Sequence, residues 1–243
     1  MSRFLAVAGL ALRELWISFR LLFVMGLLLL AALPAAIVPV PSGDPLASVT
    51  DHIQRFAVGL AAGLALAAGV AAGTISAERQ RGTAGWLVSR AVPRATIVAG
   101  WFAAFAVVTL LGIGPAAVLA WLSLGPLGEV VDPVAFAVTV AAAWGVGLAA
   151  LALGLLLGSL LPTLPAMLLG GALTAALLVP AVTISIGLPL VTPPAPGAPF
   201  AILADLADAS RPISDSVRAG GAALAASALL LLLASAVMGR ADL

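Results

Sequence analysis

Apolar residues run almost unbroken along this chain, and the few interruptions divide it. The runs are continuous and rich in leucine and alanine. They lack the alternation over about 10 residues that marks a barrel strand, so they predict helices. Runs of about 20 residues or more, enough for roughly 30 Å of hydrocarbon, fall at 21–40, 56–76, 95–122, 134–160, 164–188 and 217–238. Pro34, Pro115 and Pro180 lie inside runs and predict kinks. Residues 1–20 are apolar but punctuated. Arg3, Arg13 and Arg20 recur near the helical period with Glu14 beside them, opposite Leu5, Leu12 and Trp16. This predicts an amphipathic helix at the membrane surface, the alternative being an extension of the first span. The fold class expected is therefore an all-α membrane protein: an interfacial helix over 1–20, then a six-helix transmembrane domain over 21–243.

Composition sharpens this. The chain is 63% hydrophobic and 9% charged, far below the roughly 25% charge of a soluble domain. It reads as an integral membrane protein. Its 25 glycines suit closely packed membrane helices. The net charge of +1 points to no nucleic-acid partner. Without cysteine there is no disulfide and no thiolate metal site. The N-terminus does not read as a cleaved signal peptide, because Arg13, Glu14 and Arg20 interrupt its first apolar stretch. The single histidine, His52, is expected in an external loop. There, with Asp51 and Asp44, it is read as an ordinary solvated side chain rather than a metal ligand.

Arginine bias sets an expected orientation. With the N-terminus in the cytoplasm, Arg3, Arg13, Arg20, Arg79, Arg81, Arg90, Arg94 and Arg240 lie inside, and Arg55, Arg211 and Arg218 outside. Six spans then return the C-terminus to the cytoplasm. The expected location is the cytoplasmic (inner) membrane of the cell. The second span carries Gly59, Gly63, Gly69 and Gly73, and the fourth Gly154 and Gly158. These are close-contact faces, for packing within the bundle or for a subunit interface. The external segment 189–217 is proline-rich and reads as a long loop or a docking cap.

What is missing narrows the chemistry. The interiors of spans two to six hold no Asp, Glu, Lys, Arg or His, the groups that proton pumps and ion-coupled transporters use at the midplane. No nucleophile–base pair for an intramembrane protease is expected with His52 outside, so no catalytic residue, cofactor or metal ligand is assigned. The chain has no lysine, so it lacks a P-loop. Energy for uphill transport must come from another polypeptide through a cytoplasmic surface, and the sizeable internal one is the loop over 77–94. Thr83 is suited to cap a short helix over 84–90. Trp86, Leu87 and Val88 form an apolar wedge, and Trp86 and Arg90 are one turn apart. Aromatic and arginine anchors dominate interfaces. A plain positive-inside loop is the alternative. Gly82 supplies a turn, Pro93 suits the first turn of the third span, and Glu78 is placed to pair with Arg81 or Arg79.

The run Glu78-Arg79-Gln80-Arg81-Gly82-Thr83, followed by Leu87, Ser89-Arg90, Val92, Arg94, Ile97 and Gly100, resembles the signature of ABC-2-type permeases of ATP-binding-cassette transporters. Arg13-Glu14-Leu15 and Arg20 resemble the start of those permeases. Three positions depart from the family pattern: Ala91 stands where it has proline, Ala84-Gly85 where it has Leu-Glu, and Trp101 where it has lysine. The resemblance implies a half-transporter paired with a second permease subunit, identical or homologous, and with two ATPase subunits that hold ATP and Mg. It implies that Glu78, Arg79, Arg81, Gly82, Thr83, Trp86, Leu87, Arg90 and Arg94 form the ATPase-coupling interface. It also implies that this chain is not itself an enzyme. A path between permease subunits is expected to be lined by Thr74, Thr174, Thr183 and Ser185, which suits export of an amphipathic or lipid-like molecule. Membrane lipid is the remaining partner. The competing readings are a membrane scaffold or assembly subunit that holds a cytoplasmic partner without transport, and a self-sufficient channel.

Overall fold

The computed structural model describes residues 3–30, 32–33, 37, 45–82, 87–88, 91–125, 132–185 and 213–240; at 45–48, 50–51, 54, 179–185, 213, 215 and 239–240 it describes the backbone alone. These residues form α1 (Arg3–Ile17), α2 (Arg20–Leu30), α3 (Pro45–Gln80), α4 (Arg94–Ser123), α5 (Pro133–Leu160), α6 (Thr163–Ser185) and α7 (Ile213–Arg240). No strand occurs among the described residues.

Four stretches are long and apolar enough to cross a membrane: Arg55–Gln80, Arg94–Ser123, Pro133–Leu160 and Ser216–Met238. The expected spans over 21–40 and 164–188 correspond to shorter apolar stretches, Arg20–Leu30 and Thr163–Leu178. The protein is thus an α-helical membrane protein with four such helices in the described part. The segment 189–212 lies outside the described residues.

The sequence puts α3 and α5 at the centre. In each, 72% of the most apolar window is buried, against 22% in α7. The reason is glycine and alanine. A Cβ on Gly154 or Gly158 of α5 would run into the backbone carbonyls of Ala68 or Ala72 on α3. One on Gly69 would meet the Met167 carbonyl of α6 at 2.9 Å. Side chains this small let the helix backbones touch. The glycine faces of α3 and α5 therefore pack within the bundle. Gly100 admits Val7 of α1, and Gly112 admits Leu28 of α2, so the first two helices lie on α4. Outside this seam, large leucines of α4, α6 and α7 such as Leu119, Leu168 and Leu232 face outward, as a lipid environment permits.

Two expectations change. First, the expected span over 56–76 lies within the apolar stretch Arg55–Gln80, but the loop expected before it is helical: α3 begins at Pro45 and runs for 36 residues. Its early residues Val49, Ile53 and Phe56 are buried at helical spacing. Second, Arg3, Arg13 and Arg20 do not share one helix. α1 ends where Ser18 Oγ donates to the Glu14 carbonyl at 2.7 Å and Phe19 takes φ 57°, a left-handed value uncommon for a bulky residue. Arg20 then opens α2. The face of α1 that packs inward is Val7, Ala11 and Leu15. Leu5 and Trp16 are exposed, and Leu12 is partly buried.

Candidate functional site

Polar side chains gather at the end of the bundle where α3 stops and α4 begins, here called the loop end. Glu78, one turn before the end of α3, is buried. Burying a carboxylate is costly without a partner, and Arg81 supplies one at 3.0 Å. The same Arg81 Nη1 lies 3.4 Å from Glu14 on α1. A single guanidinium therefore ties the N-terminal helix to the end of α3. Gly82 follows with φ 78°, a conformation glycine adopts without steric cost.

Arg79 has a different task. Its Nη1 donates to the Gly158 carbonyl at 3.2 Å and to the Ser159 carbonyl. The last four carbonyls of a helix lack intrahelical partners, and that end carries partial negative charge. Arg79 thus caps α5, while Ser76 Oγ donates to the Leu161 carbonyl at 2.7 Å just beyond it. Of the two arginines, Arg81 is the outward-facing one.

Leu87 is buried rather than presented outward. It lines a small 140 Å³ cavity with Glu14, Glu78, Arg81, Ile97 and Trp101. Val88 is partly buried against the same core, so this part of the apolar wedge docks into its own bundle. Ala91 sits at φ 57°, a value closed to proline, and its carbonyl accepts from Arg3 Nη1 at 2.8 Å. The turn here is therefore one that the resembled motif's proline cannot adopt. Pro93 caps α4 and Arg94 is its first residue. Thr83, Trp86 and Arg90, and with them most of the expected short helix over 84–90, lie outside the described residues.

Of the expected path residues, Thr74 and Thr174 are buried. Thr74 Oγ1 donates to the Val70 carbonyl at 2.7 Å and accepts from Arg20 Nη1 at 3.2 Å. Thr174 Oγ1 has no hydrogen-bond partner among the described residues. The side chains of Thr183 and Ser185 are outside the described residues.

His52, expected as a solvated loop residue, is buried on α3. Its Nε2 lies 3.0 Å from the Ala120 carbonyl and 2.9 Å from Ser123 Oγ, both at the end of α4. The pair has the spacing of a serine–histidine dyad but not its chemistry. A carbonyl only accepts, so the contact with Ala120 requires the proton on Nε2. Nε2 then has no lone pair with which to take a proton from Ser123, whose own hydroxyl also donates to the Ala120 carbonyl at 2.8 Å. Among the described residues Nδ1 has no hydrogen-bond partner, so none of them orients the ring as the acid of a triad does. The pair is a latch between α3 and α4. No group of three or more His, Cys, Asp or Glu side chains suited to a metal ion occurs among the described residues.

An apolar groove of about 530 Å³ lies between α4 and α5, walled by Ile113, Trp121, Phe136, Val140 and Trp144. The indole of Trp144 donates to Thr109 Oγ1 at 3.2 Å.

No protein-family model matches this chain, and no curated protein does.

Proposed function

We propose that this chain is the membrane-embedded permease subunit of an ATP-binding-cassette transporter of the ABC-2 type, exporting an amphipathic or lipid-like molecule. On this reading the loop end is cytoplasmic. A separate ATPase binds ATP and Mg there and drives the movement. A second permease subunit completes the pathway.

The observation that carries the proposal is Arg81 held between Glu78 at 3.0 Å and Glu14 at 3.4 Å. An exposed cation at a turn, bound to two helices, is suited to pass a displacement of the turn into both of them. The absence of lysine, and so of a P-loop, supports the reading that the energy is borrowed. The burial of Leu87 and Glu78 refines the expected interface. These two hold the turn in place, and the partner-facing role falls to Arg81, Gly82 and the neighbouring loop.

The test is purification of the full chain from its native membrane in mild detergent, followed by identification of what remains bound. A nucleotide-binding subunit, whose ATP hydrolysis changes with Arg81→Glu, is the expected result. Retention of that subunit with hydrolysis indifferent to Arg81→Glu and Gly82→Val would favour a scaffold. Solute flux through the reconstituted chain alone without nucleotide would favour a channel.

A further inference from the structure

A second polar groove opens at the loop end, lined by residues other than those of the Arg81 cluster. It lies between the α1–α2 break, α3 and α6, and holds about 410 Å³, within the range of small-molecule sites. One wall is polar: Arg20, Ser18, Thr74 and Thr163. The rest is greasy: Phe19, Phe23, Val70 and Met167. A charged rim continued by an apolar trough is the shape of an amphipath.

The charge is the informative part. Arg20 is partly buried. Its Nη1 donates to Thr74 Oγ1, and no carboxylate pairs with it among the described residues. This sets it apart from Arg81, which has two carboxylates, and from Arg79, which has two helix-end carbonyls. A guanidinium carries five N–H donors, and among the described residues Arg20 commits one nitrogen, to Thr74. The positive end of α2 lies at the same place, since Arg20 is its first residue.

The three hydroxyls behave differently. Ser18 Oγ donates to the Glu14 carbonyl at 2.7 Å, Thr74 Oγ1 to the Val70 carbonyl at 2.7 Å, and Thr163 Oγ1 to Gln80 Oε1 at 3.0 Å. With their hydrogens directed into the protein, Ser18 and Thr163 present lone pairs to the groove, while Thr74 already accepts from Arg20. The site thus offers donors from Arg20 and acceptors around it. Phe19, 70% exposed and held at φ 57°, forms the lip.

We infer that this groove binds a phospholipid from the adjoining leaflet. Its phosphodiester sits on Arg20. Headgroup hydroxyl or ammonium hydrogens meet Ser18 and Thr163, and the start of the acyl chains lies along Phe23, Val70 and Met167. Basic pockets between membrane helices recognise lipid headgroups in this way. Arginine matches the bidentate geometry of phosphate. Binding here does not depend on whether the chain transports anything.

The test is native mass spectrometry of the full chain released from nanodiscs of phosphatidylglycerol, phosphatidylethanolamine or phosphatidylcholine. Retained phosphatidylglycerol or phosphatidylethanolamine is expected, with phosphatidylcholine, which lacks headgroup donors, retained less. Arg20→Gln is expected to lower occupancy roughly tenfold, the scale of a lost charge-assisted hydrogen bond. Arg20→Lys and Thr74→Val, which keep a cation in place, are expected to retain lipid, and Phe23→Ser to lose it. Equal retention of all three lipids by the wild-type chain and by a folded Arg20→Gln variant would overturn the proposal. So would displacement of the bound lipid by inorganic phosphate at millimolar concentration, which would mark a free-anion site. If Arg20→Gln fails to fold, Phe23→Ser decides alone: lipid loss supports the site and full retention overturns it.

Discussion

Arg79, in the last turn of α3, donates to the carbonyl of Gly158, in the last turn of α5, at 3.2 Å. The bond joins the two central helices at the end where both terminate. Removing the guanidinium leaves the carbonyls of Gly158 and Ser159 without it in a part-buried setting. Arg79→Ala is therefore expected to destabilise the bundle by about 1–3 kcal/mol, measured by titration with a denaturing detergent in mixed micelles. Arg79→Lys, which keeps a charge at the helix end, is expected to recover part of that loss. Equal stability of Arg79→Ala and wild type would remove Arg79 from this role.

Arg81 serves two carboxylates of different exposure: Glu14 is 35% exposed and Glu78 7%. The exposed pair with Glu14 contributes little, of order 0–1 kcal/mol. Arg81→Ala also leaves the buried Glu78 carboxylate without its partner, and is expected to destabilise the bundle by about 1–3 kcal/mol while disturbing partner-dependent activity. A double-mutant cycle with Glu14→Gln checks the link between α1 and α3. Strict additivity of the two substitutions would show that the contact is not made.

Glycines in this chain divide by what surrounds them. A Cβ at Gly154 meets the Ala68 backbone, whereas one at Gly26 meets nothing within 4 Å. Gly154→Ala should cost roughly 1–3 kcal/mol through overpacking. Gly26→Ala should be neutral, or stabilising by up to about 1 kcal/mol through helix propensity. The same detergent titration reads both, and a reversed order would contradict the α3–α5 seam.

At His52 the bonded nitrogen is Nε2 and the empty one is Nδ1. Glutamine places an amide nitrogen near the first position and asparagine near the second. His52→Gln is expected to remain more stable than His52→Asn by about 1 kcal/mol, the worth of one retained hydrogen bond. Ser123→Ala should have a smaller effect, because Ala120 keeps the imidazole donor. Equal loss in the two histidine variants would argue against the Nε2 proton.

Much of the helix order was legible because lipid-facing helices are written as uninterrupted apolar runs. The expected 95–122 and 134–160 lie within a residue of Arg94–Ser123 and Pro133–Leu160. The early turns of α3 are hidden in the sequence because Asp51, His52 and Arg55 look like loop residues. The spacing of Val49, Ile53 and Phe56 carried the contrary signal. The helix break at Phe19 has no sequence mark, since left-handed turns usually announce themselves with glycine. The pairing of Glu78 with Arg81 was legible from its spacing of three residues on a helix. The reach of Arg79 to α5 and of Arg20 to Thr74 was not. Those contacts join residues 79 and 54 positions apart, and only the packing of the small-residue seam brings them together.

The length of α3 has a mechanical consequence. At about 1.5 Å per residue its 36 residues form a rod of roughly 54 Å, well beyond a hydrocarbon layer of about 30 Å. Glu78 is fixed near one tip, and His52 lies some 39 Å back toward the other. Tilting such a rod by about 10° about the Glu78 tip swings His52 by roughly 7 Å, so a small rotation at the loop end would be magnified into enough travel to spring the His52–Ser123 latch.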